Sequence, residues 1–545
     1  MLKRKITSKL PIILICALLF TSCGASKSTN ASSTPDYVQS SPTPAASAAS
    51  MAPGQSTTMK YGNSIVSDEQ MAPAPSIAST PGYNTEEYKE IDEKGFASPI
   101  IQPLSTFSID VDTASYANVR RFLLDGQQVP PDAVRIEELI NYFGYNYPKP
   151  DGETPFSVYT EMSACPWNSG NKLLLIGLQG EEVDTSYIPP SNLVFLLDVS
   201  GSMQDENKLP LVKQSFLLLL DNLRPYDRIS IVTYAGNESV LLRGVSGDNK
   251  LEISRAIQNL EAGGSTAGAS GIQTAYKIAI ENYIEGGNNR VILATDGDFN
   301  VGVSSESDLT SLIEEKRDEG VFLSVLGFGT GNIKDNKMET LASNGNGNYA
   351  YIDSILEAKK VLVDQMGGTL LTIAKDVKLQ VEFNPGAVKG YRLVGYDNRM
   401  LNAEDFNNDA KDAGEMGAGH RVTALYEIIP AGSSTEVAGG DLKYQQTQAT
   451  GSDEWLTIQI RYKQPDQDQS QLLSCVVTGN QEAYGVSENF AFASGVAEFG
   501  LLLRGSEYRG NASYEDVYGR IAGLSCVKED QYKTEFLGMV KMLME

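Results

Sequence analysis

Histidine is nearly missing from this chain, since His420 is the one imidazole among 545 residues. A zinc site with two imidazole ligands is therefore excluded, and a Ser-His-Asp triad could form only around this residue. No serine elbow of the G-x-S-x-G type stands near it in the sequence. The sequence predicts a surface or packing histidine at this position.

Basic residues are scarce relative to acidic ones. Lys and Arg number 44 against 69 Asp and Glu, so the formal net charge at pH 7 is −25. A chain this acidic repels phosphate backbones, which argues against nucleic acid as a partner. Its hydrophobic content of 41% is nevertheless that of a globular protein, and its length predicts two or three domains.

Cysteine is too rare for a disulfide scaffold, with five in the whole chain. Cys23 belongs to a separate N-terminal pattern, and Cys165, Cys475 and Cys526 lie further along. Three such residues allow at most one internal bridge, and the sequence leaves open whether any two of them pair.

The N-terminus has the pattern of a secretory signal. Four basic residues precede an apolar run at positions 10–20, which predicts a signal peptide over residues 1–22. Thr21 and Ser22 before Cys23 resemble a bacterial lipobox, although Phe20 stands where that pattern prefers leucine. The resemblance implies lipidation of Cys23 and an extracytoplasmic protein anchored to the bacterial cell membrane; a simple signal peptide with an incidental cysteine is the alternative.

Residues 23–104 are rich in Ser, Ala, Pro and Thr and show almost no apolar periodicity. Such a segment buries too little apolar surface to offset the entropy of ordering, so it predicts a disordered tether. A flexible chain of this length has an end-to-end distance of about 50 Å.

Strand and helix patterns alternate between residues 189 and 370. The apolar run at 193–197 is typical of a strand that is covered on both faces, and helical spacing follows it at 209–223. The repetition of this order predicts an α/β domain with a doubly wound, mostly parallel sheet.

The flanking regions have different patterns. Residues 105–188 predict a small α+β N-terminal domain, in which strands accompany two helices. Residues 371–485 predict an antiparallel, β-sandwich-like domain, because strand patterns follow one another with turns between them. Residues 486–545 have helical spacing and predict a C-terminal helical segment.

Oxygen-bearing side chains follow the predicted strands of the central domain. Asp198, Ser200 and Ser202 form a D-x-S-x-S turn directly after the first strand. Thr266 lies in a Gly-Gly-Ser-Thr loop between two helices, and Asp296 follows a later strand. Doubly wound sheets place ligands at the carboxyl ends of their strands, so these oxygens are expected to converge on one cation.

These five residues resemble the metal-ion-dependent adhesion site (MIDAS) of von Willebrand factor type A (VWA) domains, in the family's order. The resemblance implies that Ser200 and Ser202 bind the ion directly and that Thr266 binds it directly or through water. Asp198 and Asp296 would act mostly through water. All the ligands are hard oxygens, which suit Mg²⁺, Mn²⁺ or Ca²⁺.

The flanks resemble a narrower group, the YfbK-type bacterial lipoproteins. The segments that carry this resemblance are 105–116 and 134–143 in the N-terminal domain and 405–415, 422–427 and 490–504 in the C-terminal part. The two resemblances together extend over nearly all of the chain beyond the tether.

The resemblance to VWA domains implies a non-enzymatic interaction module, in which a partner protein offers an Asp or Glu carboxylate to the metal. No organic cofactor is expected. An envelope scaffold acting on a complex in the same membrane is the main alternative. A metal-dependent hydrolase is a remote one, because the three loops offer neither a base nor a second metal site.

Two other interpretations stay open at this point. The five residues could be caps and turn groups of a VWA domain that no longer binds metal, since Asp, Ser and Thr are common helix caps. The acidic segment 405–415 could hold a second cation, but its spacing does not fit an EF-hand, and a solvated loop is the alternative.

Overall fold

A computed structural model describes residues 85–152, 154–183, 188–235, 237–264, 268–297, 299, 306–365, 371–411, 413–438, 451–479 and 485–545. The predicted signal peptide, Cys23, most of the predicted tether and Thr266 lie outside these ranges. Among the helices in the described part of the chain, none combines the length and apolarity that crossing a bilayer requires.

The chain before the central domain supplies three strands and two helices. They are β1 (Leu104–Ser108), α1 (Ala114–Leu124), α2 (Ile136–Asn141), β2 (Phe156–Cys165) and β3 (Asn168–Gly180).

The central domain follows β3. Its elements are β4 (Ser191–Asp198), α3 (Leu209–Leu220), β5 (Arg228–Ala235), β6 (Asn237–Ser246), α4 (Lys250–Gln258), α5 (Gly268–Glu281), β7 (Asn288–Thr295), α6 (Glu306–Asp318), β8 (Val321–Phe328), α7 (Asp335–Asn344), β9 (Tyr349–Ile352) and α8 (Ile355–Lys359). A short π-helix, Lys360–Asp364, continues α8.

The central strands form one sheet in the order β6-β5-β4-β7-β8-β9. Every pair is parallel except β5 with β6. Apolar side chains of β4 alternate between two cores, with Val194 and Leu196 on one face and Leu193 and Leu197 on the other. The structure therefore confirms the predicted doubly wound, mostly parallel sheet. Strand β6 was not predicted, because its residues are largely exposed and it pairs only at the edge.

The chain after the central domain is rich in strands and ends in helices. Its elements are β10 (Thr372–Phe383), β11 (Val388–Leu393), β12 (Met400–Leu401), β13 (Gly414–Gly417), β14 (Arg421–Pro430), β15 (Glu454–Lys463), β16 (Gln471–Thr478), α9 (Glu488–Arg504), α10 (Tyr514–Ile521), α11 (Ser525–Lys528) and α12 (Gln531–Met542).

Strands from before and after the central domain share two antiparallel sheets. One has the order β12-β1-β10-β15-β16 with β13 on β10, and the other has the order β11-β14-β3-β2. The predicted domains at 105–188 and 371–485 thus form one sandwich, into which the central domain is inserted. Sequence patterns locate strands, but they do not reveal the partner of each strand.

Helices cover the outer face of the four-stranded sheet. Leu173 and Leu175 of β3 and Leu425 of β14 lie in one core with apolar residues of α1, α2, α9, α10 and α12. Helix α1 also contacts the central domain, because Ala114 and Ala117 belong to one of its two cores. The sandwich and the central domain are therefore packed together through α1.

Residues 85–97, which fell within the predicted tether, pack along the fold as an N-terminal strap. The amide of Thr85 donates to the carbonyl of Gly331 at 2.9 Å, and the amides of Ala97 and Tyr391 donate to each other's carbonyls. Its contacts are backbone hydrogen bonds, ion pairs such as that of Glu86 with Arg121, and the rings of Tyr88 and Phe96. Such scattered contacts do not need the regular apolar spacing from which order is predicted. The structure therefore places the start of the packed chain earlier than residue 105.

Candidate metal site

The carboxyl edge of the central sheet brings four of the five predicted ligands together. Asp198 ends β4, and Asp296 directly follows β7, which is the parallel neighbour of β4. Both carboxylates are buried, with 1% exposure each. Ser200 and Ser202 lie in the turn after β4, and Ser202 is exposed.

Thr266 lies outside the described residues, but the start of its loop is placed. The amide of Gly201 donates to the carbonyl of Gly264 at 3.1 Å, and the amide of Gly263 donates to the carbonyl of Val199 at 2.8 Å. Gly263 and Gly264, which begin the Gly-Gly-Ser-Thr loop, are thus joined to the D-x-S-x-S turn by backbone hydrogen bonds.

Asp198 is held by hydrogen bonds on both of its carboxylate oxygens. The Ser200 amide donates to Oδ1 at 2.9 Å, while the hydroxyls of Tyr234 and Thr295 donate to Oδ2 at 3.2 and 3.4 Å. Burial raises the pKa of Asp198 to about 6, although the hydrogen bonds from Ser200 act in the opposite direction. Through its bond with the Ser200 amide, the Asp198 carboxylate orders the turn that follows β4.

The two serine hydroxyls point to the same place. Their Oγ atoms are 2.9 Å apart, with Ser200 buried and Ser202 open to solvent. Together with the two buried carboxylates at the same edge of the sheet, these hydroxyls form a set of hard oxygens, which fits Mg²⁺, Mn²⁺ or Ca²⁺. In the described part of the chain, no group of three or more His, Cys, Asp or Glu side chains could hold a metal. A metal site here therefore depends on the hydroxyls.

The sequence analysis missed one charged neighbour of the site, Lys208. Its Nζ donates to Oδ2 of Asp296 at 2.9 Å, and both side chains are buried. The residue immediately precedes α3 and looks like an ordinary surface lysine in the sequence. Only the tertiary fold brings its ammonium group to Asp296, which lies 88 residues further along the chain.

Gly297 fixes the backbone beside Asp296. Its φ is +102°, and a Cβ there would lie 2.4 Å from the carbonyl oxygen of Asn332 and 2.9 Å from the amide nitrogen of Lys334. Such contacts are too short for any side chain, so the loop after β8 must move if this glycine is replaced.

We expect Gly297→Ala to destabilise the protein by about 2 kcal/mol or more and to weaken Mn²⁺ binding, because a backbone clash adds to the strain of a positive φ. Gly286→Ala is the matched control, since Gly286 has a φ of +67° and a methyl group added there would meet no atom within 4 Å. Chemical denaturation and Mn²⁺ titration of both variants measure the difference. Equal effects of the two substitutions would show that the clash is unimportant.

The remaining candidates lie elsewhere. His420 precedes β14 and lines a cavity of about 780 Å³ together with Arg290 and Ser324, and burial lowers the pKa of His420. None of the four described site residues lines this cavity. Cys165, Cys475 and Cys526 are free thiols.

Two lysines contact the acidic segment 405–415, for which a second cation site was considered. Lys463 Nζ lies 2.6 Å from Oδ2 of Asp376 and donates to the carbonyl of Asp409 at 2.8 Å. Lys378 Nζ donates to the carbonyl of Asn408 at 2.7 Å. The carbonyls of Asn408 and Asp409 in this loop thus already accept from ammonium groups, and residues 407–411 are exposed, which favours the solvated loop over a second cation site.

Comparisons with known families support both resemblances. Residues 192–365 match the model "von Willebrand factor type A domain", and residues 368–545 match "Uncharacterized protein YfbK, C-terminal". Residues 82–175 match a third model, "von Willebrand factor". VWA domains are protein-interaction modules that typically bind a divalent metal at the MIDAS.

The chain is similar to relatives from bacteria and animals. It is 41% identical over 469 residues to "Uncharacterized protein YfbK" of Escherichia coli (strain K12), with 84% of this chain and 81% of that protein covered. Inter-alpha-trypsin inhibitor heavy chain H3 of Pongo abelii is 28% identical over 44% of this chain and 29% of its own length. The solved structure "von Willebrand factor type A from Catenulispora acidiphila" has a TM-score of 0.37 and 14% identity, over 63% of this chain and 79% of that one.

Proposed function

Because the chain belongs to the YfbK family of VWA-domain proteins, we propose that it is a membrane-anchored extracytoplasmic protein that grips a partner protein through a divalent cation. The ion would be Mg²⁺, or else Mn²⁺ or Ca²⁺, held by Asp198, Ser200, Ser202, Thr266 and Asp296. One observation carries the proposal: the hydroxyls of Ser200 and Ser202 lie 2.9 Å apart in the turn after β4, at the sheet edge where the carboxylates of Asp198 and Asp296 are buried.

The ligand set determines what the site can bind. When bound, a divalent ion supplies concentrated positive charge and a coordination position for an oxygen of the partner. The hydroxyls of Ser200 and Ser202 add no negative charge, and Asp198 is already engaged by three hydrogen bonds. A carboxylate from the partner is therefore the group that this site would favour.

The overall charge of the protein makes such binding depend on the metal. The formal charge is −25, and removal of residues 1–22, which hold four basic and no acidic residues, would make it −29. An acidic body repels acidic ligands in general, so the metal site would be the place where a carboxylate is attracted.

Capture experiments with envelope extract test the proposal. Wild-type protein should retain its partner in Mg²⁺ and release it in EDTA, whereas Asp198→Ala should retain none in either buffer. Asp221→Ala is the control, because Asp221 is an exposed residue that follows α3. If Asp198→Ala captured the same partner in EDTA as the wild type does in Mg²⁺, the metal site would not be the binding site.

Crosslinking in intact cells distinguishes the two locations that the partner could have. A partner on another cell would support an adhesion module, and a protein of the same membrane would support an envelope scaffold. Both outcomes use the same metal site, so Asp198→Ala should abolish the crosslinks in either case.

We expect Cys23→Ser to release the protein from the membrane fraction, because the lipid on Cys23 would be its anchor. Fractionation of cells and medium measures the change. Cys526→Ser serves as the control, since it replaces a half-buried thiol in the C-terminal helices. Membrane retention of the Cys23→Ser protein would refute lipid anchoring.

A further inference from the structure

Lys208 brings a buried positive charge into the proposed metal site. Its side chain is 8% exposed, and its Nζ lies 2.9 Å from Oδ2 of Asp296, whose side chain is 1% exposed. A cation next to a metal ligand repels the metal, so its presence needs an explanation beyond the requirements of metal binding.

The fold holds Lys208 firmly in this position. Its amide donates to the carbonyl of Asp205 at 3.0 Å, and its carbonyl accepts from the amide of Val212 at 2.9 Å. The aliphatic part of the side chain runs past Gly329, where a Cβ would lie 2.4 Å from Cε and 2.5 Å from Cγ. Gly329 has a φ of +77°, and its carbonyl accepts from the hydroxyl of Tyr351 at 2.7 Å. These two features fix the loop backbone in the conformation that leaves room for the Lys208 side chain.

The charges of the site can be counted from these residues. Asp198 and Asp296 contribute two negative charges, and Lys208 contributes one positive charge. The serines are neutral, so the formal charge of the described site is minus one. A divalent ion would raise it to plus one. Without the ammonium group, the same ion would leave the site neutral.

We propose that Lys208 sets the charge of the metal site: by neutralising Asp296, it leaves a bound divalent ion with the excess positive charge that attracts a carboxylate of the partner. This inference rests on the proposed function and assigns its specificity for acidic ligands to one residue. Lys208 thus lowers the affinity of the site for the metal and raises the affinity of the bound metal for the partner's carboxylate.

Two titrations of Lys208→Met test the inference. Free Mn²⁺ is followed by electron paramagnetic resonance, and acetate binding to the Mn²⁺-loaded protein is followed by the relaxation of its methyl protons. Removing one buried positive charge should strengthen Mn²⁺ binding and weaken acetate binding, each by roughly ten-fold or more. A purely structural ion pair would instead weaken both, because its loss would disorder Asp296.

Three further variants are matched to this test. Lys213→Met removes a lysine of α3 whose Nζ donates to the carbonyl of Gln258 at 3.0 Å, and it should change neither affinity. Lys208→Arg keeps the positive charge next to Asp296 and should leave both affinities within a few-fold of the wild type. Lys208→Gln removes the charge but keeps a polar side chain, and it takes the place of Lys208→Met if that variant fails to fold.

The outcomes separate this inference from the proposed function. If the wild type binds no Mn²⁺, both are overturned. If the wild type binds Mn²⁺ and Lys208→Met binds it equally or more weakly, only the role of Lys208 is overturned. If Lys208→Met fails to fold, Mn²⁺ binding by Lys208→Gln that is equal to or weaker than that of the wild type overturns the role as well.

Discussion

Replacing Arg120 with methionine should lower the free energy of unfolding by about 3–5 kcal/mol, because it leaves buried carboxylates without their cation. The guanidinium is 1% exposed, and it contacts Asp353, Glu357 at 2.8 Å and Glu535 at 2.9 Å. It also donates to the hydroxyl of Tyr142 at 3.1 Å. The guanidinium therefore contacts three carboxylates and one hydroxyl.

The position of Arg120 explains why the effect should be global. Arg120 lies on α1, while Asp353 and Glu357 belong to the central domain and Glu535 to α12. The ion pairs thus connect the inserted domain to the helical layer of the sandwich. Loss of Arg120 would weaken the interface between the two as well as the pairs themselves.

Chemical denaturation of the full chain measures the effect. Arg243→Met is the matched control, because Arg243 forms an ion pair with Glu281 at the surface, where its side chain is 52% exposed. That exposed pair should contribute no more than about 1 kcal/mol. Similar losses for Arg120→Met and Arg243→Met would contradict the interpretation of Arg120 as a buried interdomain anchor.

Asp198→Ala should abolish the rise in melting temperature that Mg²⁺ gives the wild type, while the metal-free melting temperature changes little. A ligand present at about one hundred times its dissociation constant stabilises the native state by about 2.7 kcal/mol, and a variant that cannot bind it gains nothing. Asp198 carries this effect because its oxygens order the turn that presents Ser200 and Ser202.

The small effect on the metal-free protein follows from the direction of the pKa shift. Burial raises the pKa of Asp198 to about 6, above the ordinary value of 3.8. A raised carboxyl pKa means that the native state binds more protons than the unfolded state between these values. The group therefore opposes folding at neutral pH, and this unfavourable contribution is lost as the pH falls below the lower value. In Asp198→Ala, the stability gained by removing this buried charge therefore offsets the stability lost with the hydrogen bonds of Asp198.

Thermal melts with and without Mg²⁺, at neutral pH, measure both quantities for the wild type and the variant. An equal Mg²⁺-dependent shift in the two proteins would place the metal elsewhere. A large fall in the metal-free melting temperature of Asp198→Ala would instead show that Asp198 is mainly a structural residue.

The central sheet and the residues of the site were predictable because both follow from local patterns. The apolar run that ends at Asp198 identified a covered strand, and the strand-helix alternation placed Asp198 and Asp296 at the same edge of a parallel sheet. The family resemblance then assigned the ligands. The structure brings the four described ones together, while metal binding itself stays a prediction.

The features that were missed depend on contacts between distant parts of the chain. The pairing of β1 with β10 and of β3 with β14 merged two predicted domains into one sandwich. The N-terminal strap is held by backbone hydrogen bonds, and Lys208 meets Asp296 across the fold. None of these contacts leaves a periodic signal in the sequence, because each one is specified by the tertiary packing of its partner.

Anomalous diffraction from a crystal soaked in Mn²⁺ is the most direct test of the site. Our account predicts one strong peak next to the Oγ atoms of Ser200 and Ser202, with Asp198, Asp296 and Thr266 around it. A fully soaked crystal with no peak there would show that these oxygens serve only as turn and cap groups.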